Sequence, residues 1–159
     1  MPSCIELKEK IKELHYQLNE LKIENKTLEI LFEEAFECIV LIDANGIVKK
    51  MNKPYAEFLE IKPEDAIGKH VTEVIENTRL HIVTKTGKPE IGEIQRIKGN
   101  NAVTMRIPII ESDKIQGAIG KVIFKDVDEV KALYKKLDSA KKELNFYKER
   151  LRKVNGEYF

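Results

Sequence analysis

Cys38-Ile39-Val40-Leu41-Ile42-Asp43-Ala44-Asn45-Gly46-Ile47-Val48-Lys49-Lys50-Met51 is the stretch on which the fold turns. A short β-branched run, an Asn-Gly pair and a second apolar run predict a β-hairpin, because Asn-Gly supplies the positive φ angles of a tight turn. Asn52 follows at once and can cap a helix carrying Tyr55, Phe58, Leu59 and Ile61 on one side. Pro63 opens another helical turn that Gly68 closes. Residues Val71 to Ile75 and Thr78 to Lys85 read as short helices, the second stopped by Gly87.

Beyond Gly87 three strands are predicted, Glu90 to Ile97, Ala102 to Glu111 and Ile115 to Lys125, joined by turns at Gly99-Asn100 and Ser112-Asp113. Two strands, several short helices and a three-stranded meander make an α+β domain: a five-stranded antiparallel sheet with helices on one face. The last strand is apolar on both sides, with Ile115, Ile119 and Ile123 on one and Ala118, Val122 and Phe124 on the other. Such a strand needs cover on both faces. The middle helices supply one, and Ile30, Leu31, Ala35 and Phe36 are expected to supply the other.

The segment before Glu37 has no Gly and only Pro2. Its apolar residues step by three and four, which is a heptad repeat. Cys4, Ile11, Leu18, Asn25 and Phe32 take the a positions; Leu7, Leu14, Leu21 and Leu28 take d. Leucine at d with one Asn at a favours a parallel two-stranded coil, because that Asn pairs with its twin in one register. Glu24 and Glu29 would face each other across such a coil and repel mildly. The alternative is an amphipathic helix folded onto its own domain. From Val127 onward the chain is again heptad-spaced, at Val130, Leu133, Leu137, Ala140, Leu144, Tyr147, Leu151 and Val154. The expected division is a coiled-coil helix over 1–27, a domain over 28–127 and a second helix over 128–159.

Composition narrows the function. A net charge of +1 in 159 residues provides no general field for nucleic acid or an anionic membrane. Charged residues make up 35%, which fits long solvated helix faces. Cys4 and Cys38 stand far apart, and His15, His70 and His81 form no metal-like cluster, so neither a disulfide scaffold nor a zinc site is expected. No secretory signal or membrane-length apolar run is visible, and the expected location is the cytoplasm. There is no G-x-S-x-G elbow, no Cys/His pairing and no recognisable carboxylate pair, so catalysis is not expected. His15 lacks the Arg and Pro context of a histidine-kinase phosphoacceptor.

In order and spacing the residues resemble a bacterial PAS domain over about Leu28 to Asp128. The likeness rests on Ile39 to Val48, on Asn52 with Ala56 and Leu59, on Gly68-Lys69, on Gly117-Ala118-Ile119-Gly120 and on Phe124-Lys125-Asp126-Val127. More narrowly, Val74 to His81, Lys85 to Gly92 and Leu151 to Phe159 resemble the sensor regions of sigma-54-dependent transcription activators and the lead into their AAA+ ATPase domain. The resemblance implies a module that senses an effector and controls a downstream ATPase. The chain itself has no G-x-x-x-x-G-K-[ST] loop and no helix-turn-helix, so it is expected neither to bind ATP nor to read DNA.

A pocket of that family would lie between the sheet and the short helices. Asn77, Arg79 and His81 sit on or before its helical wall, and Gln95, Thr104 and Arg106 could project from the sheet. Arg79, with Asn77, His81 and Arg106, is expected to hold a small polar or anionic metabolite through paired hydrogen bonds. Alternatively Arg79 pairs with Glu76 or Glu93 on the surface. His81 also invites a haem reading, since some family members ligate haem through this helix, but a capping or solvent-facing histidine is the simpler account. Asn77-Thr78-Arg79 lacks the cysteine that light-sensing relatives use for a flavin adduct. No cofactor is therefore expected. Two functions remain open: an effector-binding regulatory module, or a constitutive dimerisation scaffold whose core is filled by its own side chains.

Overall fold

The computed structural model describes residues 3–156; Met1, Pro2 and Glu157, Tyr158 and Phe159, the end of the stretch expected to lead into a downstream domain, lie outside them. Helix α1 spans Cys4–Glu33, and its start is closed by a capping box between Ser3 and Glu6. Strands β1 (Cys38–Asp43) and β2 (Val48–Met51) form the expected hairpin. Asp43 Oδ1 accepts from the backbone N–H groups of Asn45 and Ile47 at 2.9 and 3.0 Å, which closes the turn. Gly46 is required twice over: its φ is +83°, and a Cβ there would lie 2.6 Å from His70 Nε2.

Four short helices follow, α2 (Lys53–Leu59), α3 (Pro63–Ala66), α4 (Val71–Val74) and α5 (Leu80–Thr86). Strands β3 (Glu90–Ile97), β4 (Asn100–Glu111) and β5 (Lys114–Phe124) complete the sheet, and α6 (Val127–Gly156) leaves it. The strand order is β2-β1-β5-β4-β3, antiparallel throughout. Ser112 and Asp113 turn β4 into β5 with φ of 51° and 63°. The preceding turn uses Lys98-Gly99 instead of Gly99-Asn100, because β4 starts pairing at Asn100.

The alternation of each strand decides what is buried. Val40 and Ile42 of β1, Ala118 and Val122 of β5, Ala102 of β4 and Ile97 of β3 point inward, against Tyr55, Leu59, Val71, Ile75, Leu80 and Val83 of the helical layer. Gly120 on β5 lets α5 approach, since a Cβ there would meet Leu80 and Val40 at 3.1 Å.

The cover expected for the opposite face is corrected. Ile30 and Leu31 are more than half exposed and Phe36 is fully exposed. Because α1 ends at Glu33, its last turn brings the half-buried Phe32 towards the sheet, while Leu28 stays exposed at the groove and Phe36 lies in the connection and outward. Asn25, Leu28 and Phe32 flank Ile39, Leu41 and Ile119 across an open groove of about 600 Å³.

Candidate functional site

Arg106 is the one charged side chain among the buried residues described, 3% exposed on the inner face of β4. A buried guanidinium must be given acceptors. Nη1 donates to Glu90 Oε1 at 3.0 Å and Nη2 to Gln95 Oε1 at 2.7 Å. Gln95 in turn donates through Nε2 to the carbonyl of Glu76 at 2.8 Å, tying the α4–α5 connection to the sheet. Burial pulls the proton affinity of Arg106 down and Glu90 pulls it back up; a guanidinium nonetheless stays charged near neutral pH.

Glu90 reaches this position through a β-bulge. It lies directly opposite Arg106, but the register slips between Ile91 and Glu93, with Gly92 at φ +77°. Its other neighbour is Arg79, whose Nε and Nη2 donate to Oε1 and Oε2 at 2.9 and 3.2 Å. The hydrogen bond from Arg79, with both guanidinium charges, holds the Glu90 carboxyl below the usual range despite partial burial. The side chain of Arg79 is 54% exposed and that of Glu90 19%, so the pair leads from solvent inward to Arg106.

Val40, Tyr55, Ile75, Thr78, Leu80, Gln95, Thr104 and Arg106 line a cavity of about 10 Å³, the room of one water molecule. Thr104 spends its hydroxyl on the Glu93 carbonyl at 2.9 Å. Burial pushes the Tyr55 phenol well above its ordinary value.

Of the six residues singled out in the sequence, Gln95, Thr104 and Arg106 come together in this cavity. Arg79 reaches it only through Glu90, which, in place of Glu76 or Glu93, is its surface partner. Asn77, at φ 57°, donates to the Arg96 carbonyl at 3.0 Å and stitches its loop to β3. His81 belongs to a separate depression of about 190 Å³ with Ala44, Asn45, His70, Thr84 and Lys85. Its ring lies 5.6 Å from that of His70, and its buried Nδ1 has no hydrogen-bond partner. Burial, then the charges of His70, Lys85 and Arg79, lower the pKa of His81.

Two residues escape a reading by composition. Glu90 becomes visible only once the Gly92 bulge places it opposite Arg106. Asn52 was legible as a helix cap, but it does more. Fully buried, it accepts through Oδ1 from the N–H groups of Ile39 and Tyr55 at 2.9 and 3.2 Å. Through Nδ2 it donates to the carbonyls of Phe32 and Glu37 at 3.0 and 2.9 Å. The Glu33 carboxylate also accepts from the N–H of Lys53 at 3.0 Å. The end of α1 is thus fastened to β1 and α2.

A family model described as PAS domain matches residues 37–129, the sheet and the helices over its inner face. The chain belongs to the PAS domain family. It is 30% identical over 115 residues to the Sensor protein CitS of Halalkalibacterium halodurans, covering 71% of this chain and 21% of that protein. A probable C4-dicarboxylate sensor kinase of Bacillus subtilis is 29% identical over 127 residues, covering 80% of this chain and 22% of the kinase. The chain thus spans about a fifth of the length of these curated relatives. Among solved structures, the E. coli DhaR(N)-DhaL complex has a TM-score of 0.59 at 19% identity, covering 77% of this chain and 45% of that one. The PAS domain of Bordetella pertussis BvgS has a TM-score of 0.53 at 20% identity, covering 76% and 98%. Both have this PAS fold. The chain is a PAS sensory domain whose relatives are sensor proteins. Among the described residues no helix is long and apolar enough to cross a membrane.

Proposed function

We propose that this PAS domain is a dimeric regulatory module that reads a small anionic effector at Arg106 and passes the result through α6 to a downstream domain. The observation that carries this is the buried guanidinium itself. An arginine enclosed by Tyr55, Ile75 and Leu80 adds little stability over an apolar side chain of similar volume, so its presence there calls for a role in specificity.

Output runs through the end of β5. Only Lys125 and Asp126 separate Phe124 from α6, and Asp126 Oδ1 accepts from the N–H of Asp128 at 2.9 Å, fixing the helix start. The likeness of residues 74–81, 85–92 and 151–159 to sigma-54-dependent activators favours an AAA+ ATPase as the domain controlled. The a and d residues Leu7, Ile11, Leu14, Leu18, Leu21 and Leu28 are exposed along α1, and with Asn25 they favour a parallel second copy. Phe32 extends the same seam to the sheet.

The scaffold reading keeps one specific support: a cavity of about 10 Å³ is nearly filled, and Glu90 already satisfies Arg106. Native mass spectrometry of the purified protein separates the two. A dimer carrying a substoichiometric small acid, together with a thermal shift in a screen of organic acids and amino acids, is the expected result. A dimer with no bound mass and no thermal shift leaves the scaffold standing, and a monomer sinks the role given to α1.

A further inference from the structure

We infer that Glu90 is a built-in stand-in for the effector, and that the effector is therefore a short-chain carboxylate, about as large as the side chain it displaces. This rests on the reading of Arg106 as the effector-binding group.

Three features of the site converge on an exchangeable carboxylate. First, two guanidinium groups share one carboxylate: Arg106 from the core and Arg79 from the surface both donate to Glu90. An incoming carboxylate can take Arg106 while Glu90 keeps Arg79, so no charge in the triad is left bare at any stage. The exposed Glu93 contributes a weaker field from the rim.

Second, Glu90 is placed to move. It opens β3, an edge strand bonded only to β4. Glycines at left-handed φ flank it on both sides, Gly87 at +68° closing α5 and Gly92 at +77° in the bulge. A change of rotamer there breaks no strand ladder on the outer side. The other acceptor on Arg106, Gln95, is held from behind by the Glu76 carbonyl and stays.

Third, the free volume fixes the size. The cavity on the core side of Arg106 offers only about 10 Å³, so a ligand that reaches the guanidinium takes the place of the Glu90 carboxylate at Nη1. The space vacated is that of a two-carbon chain ending in a carboxylate, which is propionate. Acetate would underfill it; a bulky or aromatic acid would have to extend past Arg106 into the 10 Å³ cavity lined by Tyr55, Ile75 and Leu80.

The test is isothermal titration of the full chain and of Glu90→Ala with acetate, propionate and succinate, with propionamide as the neutral isostere. Removing the internal competitor should tighten propionate binding about tenfold or more, as expected when one charge-assisted hydrogen bond no longer has to be displaced. Propionamide should bind neither protein, and Glu90→Ala/Arg106→Met should lose the propionate response. If Glu90→Ala does not fold, Glu90→Gln serves: it retains the volume and an acceptor but removes the charge, and the same ranking is expected. Equal affinity in wild type and a folded Glu90 variant overturns the stand-in, as does equal binding of amide and acid. An effector of another class that binds both proteins alike also overturns it, while leaving the effector-sensing function intact. No binding of these acids to either protein overturns the stand-in, and native mass spectrometry with no bound mass removes the sensing function as well.

Discussion

Asn52→Ala tests whether α1 is an integral part of the PAS domain or a helix merely attached to it. The side chain makes four hydrogen bonds from a fully buried position. The bond from Tyr55 is an N-cap, and its loss costs about 1 kcal/mol. The other three contribute ~1 kcal/mol each, and their half-buried partners at Ile39, Phe32 and Glu37 regain water only in part. The total is about 4 kcal/mol, a large share of the ~5–15 kcal/mol that holds a domain of this size together. Urea titration should report that loss, and the thermal midpoint should fall by ~10–20 °C. Asn52→Asp divides the effect, because it keeps the cap and the Ile39 bond while turning a carboxylate oxygen towards two carbonyls. Its loss should fall between wild type and Asn52→Ala, with faster amide exchange at the last turn of α1 and little change at Ile39 and in α2. An Asn52→Ala protein within about 1 kcal/mol of wild type would refute the joint and reduce Asn52 to an ordinary cap.

Thiol chemistry checks the burial of β1. Cys38 is fully buried, and burial pushes its thiol up to about 11, so native protein should react with a thiol reagent once, at the exposed Cys4, and twice after unfolding. Two rapid native reactions would mean that β1 opens readily. The pH dependence of stability checks the His81 environment. With a folded pKa below the unfolded value of about 6.5, the contribution of His81 is complete above that pH and is lost as pH falls through the folded pKa. The groups facing it, His70, Lys85 and Arg79, all work in that direction. His81→Gln should flatten the fall in urea midpoint between pH 7.5 and 5; an unchanged slope would assign the acid sensitivity elsewhere.

The strands were legible because their signals are local. Asn45-Gly46, Ser112-Asp113 and the alternation within β1, β4 and β5 each depend on a few adjacent residues. The layering followed, since a sheet preceded by short amphipathic helices has few ways to bury both. What escaped was set by phase and register. Ile30, Leu31 and Phe36 have the right composition to cover a sheet, but the end of α1 at Glu33 brings Phe32 towards it in their place. The partner of Arg79 escaped for a related reason. Glu76, Glu90 and Glu93 carry the same charge and all lie near Arg79 in the chain, and only the Gly92 bulge selects Glu90. Arg106 was one of several cations on predicted strands; its depth depends on which face of β4 the helices occupy.

The register also links the two ends of the proposed relay. Glu90 pairs with Arg106, Arg106 with Gly120, Gly120 with Val40, and Val40 with Met51, so one row of residues crosses all five strands. At one end lies the carboxylate on Arg106. At the other, Met51 precedes Asn52, which holds the last turn of α1 through the Phe32 carbonyl. In the centre is β5, the strand that runs into α6, and at Gly120 it has no side chain to cushion Leu80 against Val40. On the proposed relay, a shift of β4 at Arg106 would reach β5 through these backbone hydrogen bonds, at the point where Leu80 of α5 packs. Such a row gives both helices one shared mechanical reference. Whether they share energy as well is measured by a double-mutant cycle between Glu90→Gln and Asn52→Asp, where additivity would mean two independent structures and a coupling of 0.5 kcal/mol or more, on the order seen for linked networks, would mean one.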